Sequence, residues 1–140
     1  MKQEHKELLL KDLCARLPYG VKCTYFNTKD EIKVGELLTV WCKEKRVFID
    51  KLSIDYDGSD CIGVIPYLFP LSSITEEQEK ELSKLGVSYC EYALHDDIRG
   101  LGIMVDEAYI FFEFCYKHHI DFLGLIKLGL AIDATNLNIY

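Results

Sequence analysis

The chain has 140 residues, 49% of them hydrophobic and 12% aromatic, with a formal charge of −7 and a sequence pI near 5.1. That composition excludes a disordered chain, and its acidity works against a nucleic-acid partner, because phosphate contacts need clustered Lys and Arg. The length suits one globular domain, residues 1–140, with a core that needs no disulfide staples.

The heptapeptide Met1-Lys2-Gln3-Glu4-His5-Lys6-Glu7 is followed by three leucines, too few for a signal-peptide core or a membrane span. Residues 2–17 read as an amphipathic helix. Leu9, Leu10, Leu13, Cys14 and Leu17 form its apolar stripe, and Asp12 and Arg16 an acid-before-base pair on the opposite face. Pro18 and Gly20 end it.

Strands are expected over Gly20–Asn27, Ile32–Cys42, Val47–Ile54 and Cys61–Leu68. The short turns between them imply an antiparallel meander. Lys43-Glu44-Lys45-Arg46 reads as a hairpin turn rather than a phosphate patch, because it carries its own acid. Asp57-Gly58 is a hairpin signal. The surrounding Asp55-Tyr56-Asp57-Gly58-Ser59-Asp60 has the alternating oxygens of a calcium loop. Its glycine comes too early, however, and Pro66 stands where the closing Glu belongs.

Thr75 and Gln78 make a capping box for a surface helix over 75–85, stopped by Gly86. Val87–Leu94 reads as a fifth strand and His95–Gly102 as a loop. Residues 105–119 read as a second strong helix whose polar arc is only about 140° wide. Asp121 is placed as the cap of a short last helix ending at Gly129, and residues 136–140 as a frayed tail. The fold class is therefore α+β. A four- to five-stranded antiparallel meander packs with an N-terminal helix, a middle surface helix and an aromatic-rich C-terminal helix.

Three segments carry a resemblance: residues 8–21 (LLLKDLCARLPYGV), residues 66–77 (PYLFPLSSITEE), and Phe122-Leu123-Gly124-Leu125-Ile126 with Gly129-Leu130-Ala131. Together they resemble a family of small uncharacterised proteins of gut anaerobic bacteria and their phages or prophages. The resemblance implies a cytoplasmic protein associated with a mobile element. It carries over no activity and no functional residue, and residues 87–104 lie outside it.

The chemistry-bearing residues form three groups. His95, Asp96, Asp97 and Arg99, beside Gly100 and Gly102, offer a His–carboxylate pair for acid–base work and an Arg for an anion, and so the place for a catalytic site. Cys115, His118, His119 and Asp121 have metal-ligand side chains, but a histidine near a helix C-terminus also serves the helix dipole. Tyr109, Phe111, Phe112 and Tyr116 make the C-terminal helix either core or an interface for a protein partner or a second copy. Within that choice Phe112 is expected to be buried in one chain, with the N-terminal helix and residues 124–131 covering the second side of the helix.

The six cysteines, Cys14, Cys23, Cys42, Cys61, Cys90 and Cys115, include no C-x-x-C pair and read as reduced structural thiols. No nucleophile elbow, phosphate loop or cofactor motif is present. The expected function is a non-enzymatic interaction or accessory protein, without cofactor, metal, nucleic acid or membrane. The alternative is a small hydrolase-like enzyme assembled from scattered residues that include 95–99.

Overall fold

The computed structural model describes residues 2–26, 31–43, 46–50, 52–55, 64–87 and 105–140, with backbone only at 52–55 and 105–107. They form an α+β fold of three α-helices and one mixed sheet, with elements α1 (Gln3–Arg16), β1 (Lys22–Phe26), β2 (Ile32–Trp41), β3 (Arg46–Ile49), β4 (Leu52–Asp55), β5 (Ile65–Pro70), α2 (Glu76–Lys84), α3 (Val105–Lys117), β6 (Ile120–Asp121) and β7 (Ile132–Asp133). No helix among the described residues is long and apolar enough to cross a membrane.

The sheet order is β4-β3-β2-β1-β5-β6, and β7 also pairs with β5. β1 to β4 are an antiparallel meander, with registers Phe26↔Ile32, Trp41↔Arg46 and Ile49↔Leu52. The expected strand over Val47–Ile54 is two strands, because the chain reverses at Asp50, whose φ is +53°. The Asp50 carboxylate holds that turn, accepting from the Glu36 N–H at 3.0 Å and the Tyr25 hydroxyl at 3.5 Å. It lies where a side chain at position 35 would stand, and a Cβ there would also meet Ile49 Cγ2 at 2.7 Å, so glycine is required at Gly35.

β5 does not extend the meander beyond β4. It pairs antiparallel with β1 on the far side, through Cys23↔Pro66 and Thr24↔Ile65. Two-residue parallel ladders then add β7 beside Tyr67 and Leu68 and β6 beside Phe69 and Pro70. The Asp57-Gly58 turn and nearly all of the expected Val87–Leu94 strand lie outside the described residues; Val87 itself is buried and outside any strand.

α1 covers the inner face of the sheet, with Leu9 and Leu13 buried against Val21, Cys23, Leu37 and Ile49. Its buried side differs from the sequence expectation. Asp12 and Arg16 are inside with Leu9 and Leu13, whereas Leu10, Cys14 and Leu17 are only part-buried. A second core gathers Leu82 of α2, Phe111, Phe114 and Cys115 of α3, and Ile120 and Phe122. The α2 capping box forms as expected: Gln78 N–H donates to Thr75 Oγ1 at 3.3 Å, and Thr75 N–H donates to Gln78 Oε1 at 2.9 Å.

The last helix expected from Asp121 to Gly129 is a series of turns, with Gly124 at φ +73° and Gly129 at φ +71°. Asp121 does organise it, accepting from the N–H groups of Leu125 and Ile126, both at 2.8 Å. The tail is docked rather than frayed. The Tyr140 hydroxyl donates to the Tyr67 carbonyl at 2.7 Å and accepts from the Lys22 N–H at 3.1 Å.

Candidate functional site

The helix α3 reads as either core or interface in the sequence, and its aromatics separate into different environments. Phe111 is completely buried. Phe112 is half-buried rather than enclosed, stacked on Phe122 with ring centres 4.9 Å apart. Tyr116 meets Phe122 edge-on at 5.1 Å, and the Arg16 guanidinium lies 5.2 Å from its ring centre. Tyr109 is 72% exposed. α3 is thus chiefly a core helix, and of these four residues only Tyr109 is exposed.

The four candidate metal ligands point to different partners. Cys115 is buried, and burial pushes its thiol up to about 12, far from the thiolate a metal takes. A His118 ring nitrogen lies 3.0 Å from Glu81 Oε2. His119 stacks on the Tyr140 ring at 4.0 Å, and Asp121 is occupied by two backbone N–H groups. Among the described residues no group of three or more His, Cys, Asp or Glu could hold a metal ion. His95, Asp96, Asp97 and Arg99 lie outside the described residues.

One polar cluster is buried between α1, α3 and β6. Arg16 Nε donates to Asp12 Oδ2 at 2.7 Å, Arg16 Nη1 to the Cys115 carbonyl at 3.3 Å, and Arg16 Nη2 to the Ile120 carbonyl at 2.9 Å. These carbonyls belong to the C-terminal end of α3 and the strand that follows, where a cation complements the helix dipole. Burial raises the Asp12 carboxyl above its ordinary range, and Arg16 opposes that rise. His119 stands at φ +56°, just past the end of α3, and burial holds its imidazole down to about 4, so it is neutral at physiological pH. Every member of the cluster except Tyr116 is at most 9% exposed, so its role is to fasten α1 to α3 and β6.

A cavity of about 340 Å³ lies between α2 and α3, floored by Leu85, Ile110 and Phe114. Its rim is largely self-neutralising: Lys117 Nζ sits 3.0 Å from Glu81, and Tyr19 donates to Glu113 at 3.3 Å. Lys117 above all holds the Glu81 carboxyl below its ordinary value.

The feature that sequence reasoning missed is on the other side of the sheet. Paired residues in an antiparallel ladder share a face, and alternate residues of a strand do too. Phe26 with Ile32, Thr24 with Val34 and Lys22 with Glu36 therefore line the face opposite α1. Leu38 continues that row up to the register shift between Leu37 and Thr39. Trp41 follows at the strand end, against Phe48 of β3 with ring centres 4.9 Å apart. Phe26 is 44% exposed, Ile32 66%, Val34 45%, Leu38 52% and Trp41 48%. Charge interrupts the row at the Lys22–Glu36 ion pair, 3.6 Å, and at Arg46, the ladder partner of Trp41. The signal was present in β2, where Leu37 and Val40 serve the inner face while Ile32, Val34 and Leu38 serve the outer one. A strand apolar on both sides asks for cover on both sides.

Comparison with protein-family models, curated proteins and solved structures finds no match to this chain.

Proposed function

We propose that this is a non-enzymatic interaction protein that docks a protein partner on the outer face of β1, β2 and β3. The observation that carries the reading is the row Phe26, Ile32, Val34, Leu38 and Trp41, all large, apolar and about half or more exposed. An antiparallel sheet with a free face ordinarily alternates apolar-in with polar-out, and contiguous apolar patches on soluble chains mark interaction surfaces. Aromatic anchors such as Trp41 and Phe26 suit the centre of such a contact. The wider setting, an accessory protein of a bacterial mobile element or phage, rests on the resemblance of the three segments alone.

The test compares the wild-type chain with Ile32→Asp/Leu38→Asp. Native wild-type protein should bind a hydrophobic dye such as ANS or associate with rising concentration in sedimentation velocity. The double variant should do neither while keeping its thermal midpoint. A wild-type chain that is monomeric and does not bind the dye has this face covered already, and the reading falls.

A further inference from the structure

Four cysteines among the described residues carry free thiols, and two of them face each other. Cys14, on α1, and Cys42, just after β2, are 28 positions apart in sequence, yet their Sγ atoms lie 3.8 Å apart. That is van der Waals contact, with no atom between them. Cys14 is part-buried and Cys42 exposed, whereas Cys23 and Cys115 are fully buried. The pair therefore combines an accessible thiol that a reagent can reach with a sheltered neighbour that can resolve the product, the arrangement of a redox-active dithiol.

We propose that Cys14 and Cys42 form a reversible disulfide that ties α1 to the end of β2 when a low-molecular-weight disulfide is the oxidant. The Cys42 thiol loses a proton, and its sulfur attacks one sulfur of the reagent RS–SR. The reagent bond breaks, one RS⁻ leaves and takes up a proton, and Cys42 carries a mixed disulfide. Cys14 then loses its proton and attacks the Cys42 sulfur, expelling the second RS⁻, which is protonated in turn. Two protein thiols are oxidised and one reagent disulfide is reduced to two thiols, so electrons and protons balance.

The geometry makes the second step the favoured one, because Cys14 is already at contact distance. Burial and the neighbouring Cys42 sulfur raise the Cys14 thiol to about 11, so the reagent meets the exposed Cys42 first, and the contact distance offsets the small thiolate fraction of Cys14 in the resolving attack. The bond encloses the 3₁₀ turn Leu17–Tyr19, β1 and all of β2 in one covalent loop. It fixes the helix that carries Asp12 and Arg16 to the strand that carries the exposed apolar row. The structure is the reduced form, and the proposal concerns its oxidised partner state.

The experiment treats the full chain with oxidised glutathione, blocks remaining thiols and digests with trypsin. Cys14 falls in peptide 12–16 and Cys42 in peptide 34–43, and each of the other four cysteines falls in a peptide of its own. The expected product is the 12–16/34–43 linked pair, two hydrogens lighter than its parts and released by dithiothreitol. Oxidation should raise the thermal midpoint by about 5–12 °C through loop closure. Cys14→Ser should instead trap glutathione on Cys42, and Cys42→Ser should leave Cys14 unmodified. Two results overturn the proposal: a wild-type chain that keeps glutathione on Cys42 without linking to Cys14, or one in which Cys42 links to Cys61 or Cys90.

Discussion

Arg16→Met probes the polar cluster that fastens α1. Arg16 and Asp12 are paired at 2.7 Å with both side chains wholly out of water. The guanidinium also supplies donors to the carbonyls of Cys115 and Ile120 and lies over Tyr116. Methionine fills much of the space but leaves a buried carboxylate without its cation and two carbonyls without donors. Breaking a buried pair from one side costs about 3–5 kcal/mol. For a chain of this size that lowers the thermal midpoint by about 10–15 °C. Asp12→Leu/Arg16→Met buries no charge, so only the two carbonyls remain unsatisfied, a cost that Arg16→Met carries as well. The double variant should therefore be more stable than Arg16→Met. The deficit of Arg16→Met should also depend on pH. Burial raises the folded Asp12 carboxyl above 3.8 and Arg16 opposes that rise, so without Arg16 the carboxyl is raised further and the deficit should grow as pH rises through that window. Urea unfolding followed by circular dichroism at several pH values measures each quantity. A cost below about 1 kcal/mol for Arg16→Met, or a double variant no better than the single, would refute the account.

Three further expectations follow from named contacts. His119 is held down to about 4 from 6.5, so the stability that its neutral form contributes is complete above pH 6.5 and is lost as pH falls towards 4. His119→Asn, which tolerates the positive φ, should flatten that limb of the stability–pH curve relative to wild type. Asp121→Ala removes two charge-assisted bonds to backbone N–H groups and should cost about 2–3 kcal/mol, with faster hydrogen exchange at Leu125 and Ile126 in NMR. Phe111→Ala should cost about 3–5 kcal/mol and Phe112→Ala about 1–2 kcal/mol, since only the first is fully enclosed; equal costs in urea titrations would contradict that ranking.

What the sequence disclosed depended on how far each residue's partner lies along the chain. The Thr75–Gln78 capping box is a contact between neighbours, and it formed as read. The three helices followed from periodicity and composition for the same reason. Asp50 has no glycine beside it to announce a turn, and the alternation that puts Val47 and Ile49 on one side and Phe48 and Leu52 on the other runs straight through it. The turn is held instead by the Glu36 N–H across the sheet. Arg16 looked solvent-facing because its acid lies four residues away, as in any surface pair. Its other acceptors are 99 and 104 residues distant, and they turn the helix so that Arg16 faces inward. The Tyr140 hydroxyl likewise finds Tyr67 from 73 positions away, which no local pattern in the tail announces. The candidate surface was half legible: β2 displayed apolar residues at both parities, but which face α1 would cover was decided by packing.

That packing bears on how the exposed face should be understood. A two-layer α+β unit buries one side of its sheet under helices and leaves the other to water. Here α1 satisfies the inner side through Leu9 and Leu13, and the cores contain no member of the row Phe26, Ile32, Val34, Leu38 and Trp41. Folding therefore draws little on that row, since surface substitutions away from caps, cores and networks change stability by about 0.5 kcal/mol or less. Lys22 and Glu36 show that the same face accepts charge within the same ladder. The proposed docking accounts for apolar residues at positions that neither the core nor the ladder demands. On that proposal stability and docking should separate in the Ile32→Asp/Leu38→Asp variant, which is expected to keep the fold and lose the contact. Had the row been part of the core, the same two charges would unfold the chain.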